Sequence, residues 1–136
     1  MVVADGKGLP LGVHVASASK AEVNLIEITL VDSFAGEDGD EQPERLIYDK
    51  AADSDPLRTR LGDDGIELIC PHRRGRRKHP TQDGRALRRY RRRWIIERTI
   101  AWLGNHRRLL VRHERHWRMY LTFVHIACSL MALSRL

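Results

Sequence analysis

The sequence has few of the features that mark several large protein classes. Among its 136 residues are only two cysteines, Cys70 and Cys128, whose separation predicts neither a disulfide framework nor a paired zinc site. No apolar run reaches the roughly 18 residues of a membrane-spanning helix, and neither a Gly-x-Ser-x-Gly elbow nor a complete phosphate-binding loop occurs. We therefore expect one domain in a reducing cytoplasm, without a membrane partner.

Positive charge is abundant, and it is concentrated in one half of the chain. Residues 1–70 contain six basic and fifteen acidic residues, a net charge of −9, whereas residues 71–136 contain eighteen and three, a net charge of +15. Such a basic region favours a polyanion, because each phosphate that is neutralised releases condensed counterions. Nucleic acid is therefore the expected partner. The basic side chains expected to bind it are Arg73, Arg74, Arg76, Arg77, Lys78, Arg89, Arg92, Arg107 and Arg108.

The acidic half is predicted to form an α/β unit, beginning with a hairpin. Asp5-Gly6 is a hairpin signal between two short apolar segments, so residues 1–15 are expected to form an antiparallel strand pair. Apolar residues then recur at helical spacing. Ser19 and Glu22 predict a capping box at the start of that helix.

A strand–helix–strand order follows the acidic, turn-rich residues 34–43, which are expected to be an exposed loop. Residues 45–48 predict a short strand that Asp49 ends, Ser54-Asp55-Pro56 predicts a helix start, and residues 66–70 predict the next strand. A helical crossover returns the chain in the same direction, so the two strands are expected to be parallel. Asp49 then lies at the strand end where α/β folds bind their ligands.

The basic half is predicted to contain a loop followed by helices. Residues 71–80 hold five arginine or lysine residues and are expected to be a basic loop. A long helix, capped by Thr81 or Asp83, is expected to carry Glu97 and to be buried around most of its apolar circumference. The last apolar helix is also expected to be buried, with His125 as a hydrogen-bonded core histidine.

One acid, Glu97, lies among the arginines of residues 85–104. In a helix, Tyr90, Arg93 and Glu97 share one face, because steps of three and four residues return to it. One interpretation is an ordinary surface ion pair between Arg93 and Glu97, worth about 0.3–0.5 kcal/mol. The other is that Glu97 binds a metal ion inside a cationic groove for phosphate.

Four segments of the chain share a pattern with a known family. Residues 49–58 (DKAADSDPLR), 65–69 (GIELI) and 71–74 (PHRR) precede residues 90–104, in which the spacing Tyr-x2-Arg-x3-Glu is complete. Together these segments resemble bacterial insertion-sequence transposases of the DDE (Asp-Asp-Glu) type, in the insertion-sequence-five group. The resemblance covers nearly the whole chain.

The resemblance implies a fold, a site and partners. The implied fold is α/β, a ribonuclease H-like mixed sheet with flanking helices, and residues 1–136 are then part of the catalytic domain. Asp49 and Glu97 are implied to be catalytic residues and metal ligands for two Mg²⁺ or Mn²⁺ ions, which serve DNA strand cleavage and transfer. Tyr90 and Arg93 are implied to hold transposon-end DNA. The implied partners are transposon-end and target DNA and a second copy in a synaptic homodimer, at the nucleoid in the bacterial cytoplasm.

The chain also departs from the family pattern. The motif usually continues to a lysine seven residues after the glutamate, where this chain has Gly104, so Arg107 or Arg108 is the candidate replacement. The resemblance implies that the strand bearing the first catalytic aspartate lies upstream of residues 1–15, so the fold is expected to be incomplete at the N-terminus. A further acid must then come from outside this chain, and the chain alone is expected to be inactive.

Two origins and one other function stay open at this point. The chain is either the second reading frame of an element that makes its enzyme by frameshifting, joined to the upstream product, or a degenerate transposase remnant. The other function is a non-catalytic DNA- or RNA-binding module, whose basic face acts through phosphates alone.

Overall fold

The computed structural model describes residues 1–34, 42–75 and 84–135, which form a mixed α/β structure. The strands are β1 (Val2–Ala4), β2 (Pro10–Val13), β3 (Arg45–Ile47) and β4 (Glu67–Ile69), and the α-helices are α1 (Ile26–Phe34), α2 (Asp55–Asp63), α3 (Gly84–Tyr90), α4 (Trp94–Gly104), α5 (Arg107–Leu110) and α6 (Trp117–Leu133). None of the helices in those ranges combines the length and the apolar character that a membrane crossing requires.

The predicted hairpin is confirmed. β1 and β2 pair antiparallel, with Val2 opposite Val13. Oδ1 of Asp5 accepts hydrogen bonds from the amides of Lys7 at 2.9 Å and Leu9 at 2.7 Å, so the side chain of Asp5 closes the turn between the strands.

The predicted strand–helix–strand unit is also confirmed. β3 and β4 pair in parallel, with Leu46 opposite Leu68. Ser54 is the N-cap of α2, and Pro56 lies in the first turn. An amide hydrogen in that turn has no acceptor within the helix, so proline is tolerated there. In the described ranges the four strands form two separate pairs, rather than the single mixed sheet expected from the sequence.

Two clusters of buried apolar side chains hold these elements together. The larger lies between α1, α2 and β4, and the smaller lies between α4 and α6. The larger cluster contains Ile26, Leu30, Ala52, Leu57, Leu61, Ile66, Leu68 and Cys70, and the smaller contains Leu103, Ala127 and Met131.

The predicted capping box at Ser19 is wrong. A 3-10 turn, Glu22–Leu25, precedes α1, and no side chain caps it. The hydroxyl of Ser19 instead contacts the hydroxyl of Ser17 at 2.9 Å, and the Glu22 carboxylate accepts a hydrogen bond from Tyr48 at 3.2 Å. Each member of the expected box therefore has another partner.

The helix that carries Glu97 differs from the prediction in two ways. A 3-10 turn, Arg91–Arg93, separates α3 from α4, and the predicted caps at residues 81 and 83 lie outside the described residues. Only one face of α4 is buried, through Ile95, Thr99 and Leu103. Trp94 on another face is 53% exposed, because the hairpin and α6 cover α4 from one side only.

The last helix, α6, is likewise buried on one face only. Val124, Ala127 and Met131 are buried, whereas Ile126 and Leu130 are each 50% exposed. His125 is exposed, so the prediction of a core histidine is wrong. Apolar composition alone does not bury a helix face that no other element covers.

The hairpin turn is fastened to α4 by its backbone carbonyls. Oγ1 of Thr99, which is fully buried, donates to the carbonyl of Gly8 at 2.8 Å. Arg98 donates to the carbonyl of Lys7 at 2.8 Å, and Arg92 donates to that of Gly6 at 2.9 Å. Side chains from the basic half thus position the turn of the acidic half.

A buried carboxylate, Asp53, joins α2 to the segment after β4. Its side chain is 4% exposed, and Oδ1 accepts from Nη2 of Arg58 at 2.9 Å and contacts Nδ1 of His72 at 2.8 Å. Oδ2 accepts from the amide of Arg73 at 2.8 Å. Burial disfavours the charged carboxylate, but these hydrogen bonds and the charge of Arg58 outweigh it and lower the pKa of Asp53.

Substituting Gly8 should destabilise the fold. Gly8 has a φ of +86°, and a Cβ there would lie 2.9 Å from Oγ1 of Thr99. Gly8→Ala should therefore lower the free energy of unfolding by about 1–3 kcal/mol, measured by urea denaturation. Gly62→Ala is the matched control, because a Cβ at Gly62 meets nothing within 4 Å and alanine favours the helix. An equal loss in both variants would contradict the role of Gly8.

Acidification should remove the contribution of Asp53 to stability. Because its folded pKa is lowered, the stabilisation is complete above the unfolded value of about 3.9 and is lost as the pH falls through the folded value. Asp53→Asn should lower the free energy of unfolding by about 3 kcal/mol at neutral pH. The difference from the unmodified chain should shrink below about pH 4. Asp63→Asn removes the same charge from an exposed position and is the control; a difference that stays constant with pH would contradict this account.

Candidate functional site

Asp49 follows β3, two residues after the last paired residue of the strand, Ile47. It caps the 3-10 turn Lys50–Ala52, and its Oδ1 accepts a hydrogen bond from the amide of Ala51 at 2.7 Å. This bond fixes one carboxylate oxygen in the turn. The other oxygen, Oδ2, faces Arg93.

Tyr90, Arg93 and Glu97 are brought together, as the sequence predicts. Nη1 of Arg93 donates to the hydroxyl of Tyr90 at 3.4 Å, and Nη2 lies 3.1 Å from Oε1 of Glu97. The 3-10 turn before α4 keeps these residues on one face, because its residues remain right-handed helical. The hydrogen bond to Tyr90, with the charges of Glu97 and Asp49, raises the pKa of Arg93 despite partial burial.

The same guanidinium links Glu97 to Asp49. Nη2 of Arg93 lies 3.9 Å from Oδ2 of Asp49. Because the same nitrogen contacts both acids, the separation between Oδ2 of Asp49 and Oε1 of Glu97 cannot exceed the sum of its two contact distances. The Arg93–Glu97 pair alone is an ordinary helical ion pair. Asp49 comes from a different element, and its presence makes the cluster a meeting point of two acids.

The cluster offers the ligand chemistry of a hard divalent cation. Carboxylate oxygens are the preferred protein ligands of Mg²⁺ and Mn²⁺. The side chains of Asp49 and Glu97 are 34% and 58% exposed, so both are accessible from solvent, and both face the Arg93 guanidinium. Within the described ranges no group of three or more His, Cys, Asp or Glu residues is arranged to hold a metal ion.

The predicted nucleic-acid-binding residues lie in several places. Arg74, Arg89 and Arg107 are exposed. Arg92 is bonded to the hairpin turn, and Arg108 pairs with Glu114 at 3.1 Å. Arg76, Arg77 and Lys78 lie outside the described residues.

Arg73 has a different environment from the other basic residues. Its Nε donates to the carbonyl of Lys50 at 3.1 Å, and its Nη2 donates to that of Ala51 at 2.7 Å. Two of its nitrogens therefore bind the backbone of the turn that Asp49 caps.

The Asp53 cluster was missed by the sequence analysis. Ser54 already accounts for the start of α2, so Asp53 before it had no assigned role. The available signal was an acid, Asp53, just before α2 and an arginine, Arg58, in that helix, together with His72 shortly after β4. The sequence does not show that these residues interact, because His72 and Asp53 meet only when β3 and β4 pair.

Comparisons with known proteins identify the family of the chain. The family described as "Transposase DDE domain" matches residues 1–132. A Burkholderia cepacia protein that carries the name of a transposase for the insertion sequence element IS402 is 33% identical over 135 residues, which are 96% of this chain and 60% of that relative. The chain thus spans somewhat less than two thirds of the relative's length. No solved structure matches the chain significantly. From its match along nearly the whole sequence, the chain belongs to the DDE-domain transposase family.

Proposed function

We propose that this chain is part of a transposase catalytic domain that cleaves a DNA strand and transfers it to a target. Asp49 and Glu97 are two of its metal ligands, and Tyr90 and Arg93 hold the DNA. The observation that carries the proposal is the convergence of Asp49 and Glu97 on one guanidinium from two separate elements.

The roles of the side chains follow from their chemistry. The carboxylates of Asp49 and Glu97 would hold divalent metal through oxygen, and the metal would supply charge stabilisation for an in-line displacement at phosphorus. Arg93 can engage two phosphate oxygens through its planar donors. The Tyr90 hydroxyl accepts from Arg93 and orients it toward the acids.

We also propose three finer features of the family for this chain. They are a pair of Mg²⁺ or Mn²⁺ ions, a ribonuclease H-like fold for the whole domain and membership of the insertion-sequence-five group. Two carboxylates are too few to hold a pair of metal ions, so we propose that a further acid comes from outside this chain. It would lie on the product of an upstream reading frame or on a fusion with it. The working assembly is a homodimer on transposon ends at the nucleoid.

A second candidate function is a nucleic-acid-binding module without catalysis. The exposed positions of Arg74, Arg89 and Arg107 favour it, because phosphate binding needs no acid. Both functions require phosphate binding by the basic half. Only the first requires Asp49 and Glu97 to be intact.

DNA binding should depend strongly on salt. If the basic half neutralises six or more phosphates, the affinity for duplex DNA should fall about a thousandfold between 50 and 200 mM salt. Arg89→Ala and Arg107→Ala should each reduce the slope of log affinity against log salt by about one. The measurement is fluorescence anisotropy over a salt series.

Arg60→Ala is the matched control for this series. Its guanidinium is paired with Glu27 in the acidic half, at 2.7 and 2.8 Å, so its removal should leave the slope unchanged. A flat salt response of the unmodified chain would exclude both candidate functions.

Catalysis should depend on the two acids. The chain joined to the upstream product should nick transposon-end DNA with Mg²⁺, and Glu97→Gln or Asp49→Asn should reduce the nicking rate by about a thousandfold or more. Both variants should still bind DNA. Gel analysis of end-labelled duplexes measures the rate.

Glu67→Gln is the control for the removal of an acid. Glu67 is exposed on β4 and pairs with Arg45 at 3.1 Å, so its loss should leave nicking intact. Unchanged nicking by Glu97→Gln would refute the catalytic assignment, and DNA binding without nicking in every variant would favour the non-catalytic module.

A further inference from the structure

The carboxylate of Asp49 has its orientation set by a short turn. Oδ1 accepts from the amide of Ala51 at 2.7 Å, which directs Oδ2 toward Arg93. The turn Lys50–Ala52 has only three residues, and a 3-10 turn of that length is weakly held by its own hydrogen bonds. Other contacts must therefore hold it in place.

Arg73 supplies those contacts from the neighbouring strand's end. Its guanidinium donates to the carbonyls of Lys50 and Ala51 at 3.1 and 2.7 Å, and these two carbonyls belong to the turn. The backbone amide of Arg73 is held in turn by Oδ2 of Asp53 at 2.8 Å.

Asp53 is itself anchored to the core. Arg58, which bonds to Asp53, also donates to the carbonyl of Cys70 at 3.3 Å, at the end of β4. Cys70 is fully buried, so this end of the network cannot shift without disturbing the core. A continuous path of hydrogen bonds thus runs from the core through Asp53 and Arg73 to the turn that aims Asp49.

We propose that Arg73 and Asp53 are positioning residues for Asp49: they hold the Lys50–Ala52 turn in place and thereby direct Oδ2 of Asp49 toward Arg93, the residue that also pairs with Glu97. The use of Asp49 as a metal ligand rests on the proposed function. The positioning itself does not. Arg73 then serves the acids rather than the nucleic acid, in contrast to the role expected from the sequence.

The test uses the whole chain and the variant Arg73→Ala. Arg73 is exposed and its backbone amide is retained, so the variant should fold. Two readouts are taken without DNA: hydrogen exchange of the Ala51 amide by NMR, relative to the amides of α2, and the affinity for Mn²⁺ alone by electron paramagnetic resonance. Exchange at Ala51 should accelerate about tenfold while α2 is unaffected, and Mn²⁺ affinity should fall about tenfold or more.

Two further variants separate positioning from charge. Arg73→Lys keeps a donor near the turn and should restore part of both readouts, whereas Arg115→Ala removes one positive charge from an exposed position between α5 and α6 and should change neither. DNA affinity of Arg73→Ala should fall no more than that of Arg115→Ala. A larger loss would support the direct phosphate contact instead and overturn the proposal.

The remaining outcomes are also decisive. Unchanged Ala51 exchange in Arg73→Ala overturns the positioning role, and so does faster exchange with unchanged Mn²⁺ affinity. If the chain joined to the upstream product binds no Mn²⁺, or binds it equally well after Asp49→Asn, the metal site of the proposed function fails. In that case exchange at Ala51 alone decides whether Arg73 holds the turn.

Discussion

One positive charge between two negative charges is the constraint on which the candidate site depends. Asp49 follows β3 and Glu97 lies in the first turn of α4, and the Arg93 guanidinium is the contact that they share. Two carboxylates at this separation repel each other unless a cation lies between them. The fold therefore has to place the side chains of Asp49, Arg93 and Glu97 close together, and short hydrogen bonds support both Asp49 and the helix that carries Glu97.

Asp49 is positioned by the parallel strand pair and by the hydrogen bonds of Asp53 and Arg73. Glu97 is positioned by the packing of α4 against the hairpin, where Thr99 is fully buried. Both supports lie behind the acids, which leaves the carboxylates open to solvent. This exposure is compatible with the DNA substrate that we propose, because a long strand reaches an open surface more readily than an enclosed cavity.

The parts of the fold that were predictable have local signals. Asp5-Gly6 specifies the hairpin, and Ser54 with Pro56 specifies the start of α2, whatever the rest of the chain does. The acids of the site were found through the resemblance, because Asp49 and Glu97 are distant in sequence. Burial was predicted poorly, since the composition of α6 does not say which elements cover it, and His125 is exposed as a result. The 3-10 turn at Arg91–Arg93 has no sequence signal either: three arginines favour a continuous helix, whereas Arg92 binds the carbonyl of Gly6.

The fastening of the hairpin turn has a consequence for the order of folding. Thr99 is 91 residues from Gly8, and Arg135, which donates to the carbonyl of Lys7 at 3.2 Å, is 128 residues from it. Contacts over such separations close large loops, so they form late and depend on what has already folded. During synthesis the turn emerges long before α4 and α6, and its carbonyls stay hydrated until those helices arrive. The turn can therefore be fastened, and Asp49 can meet Glu97, only after α4 has been synthesised.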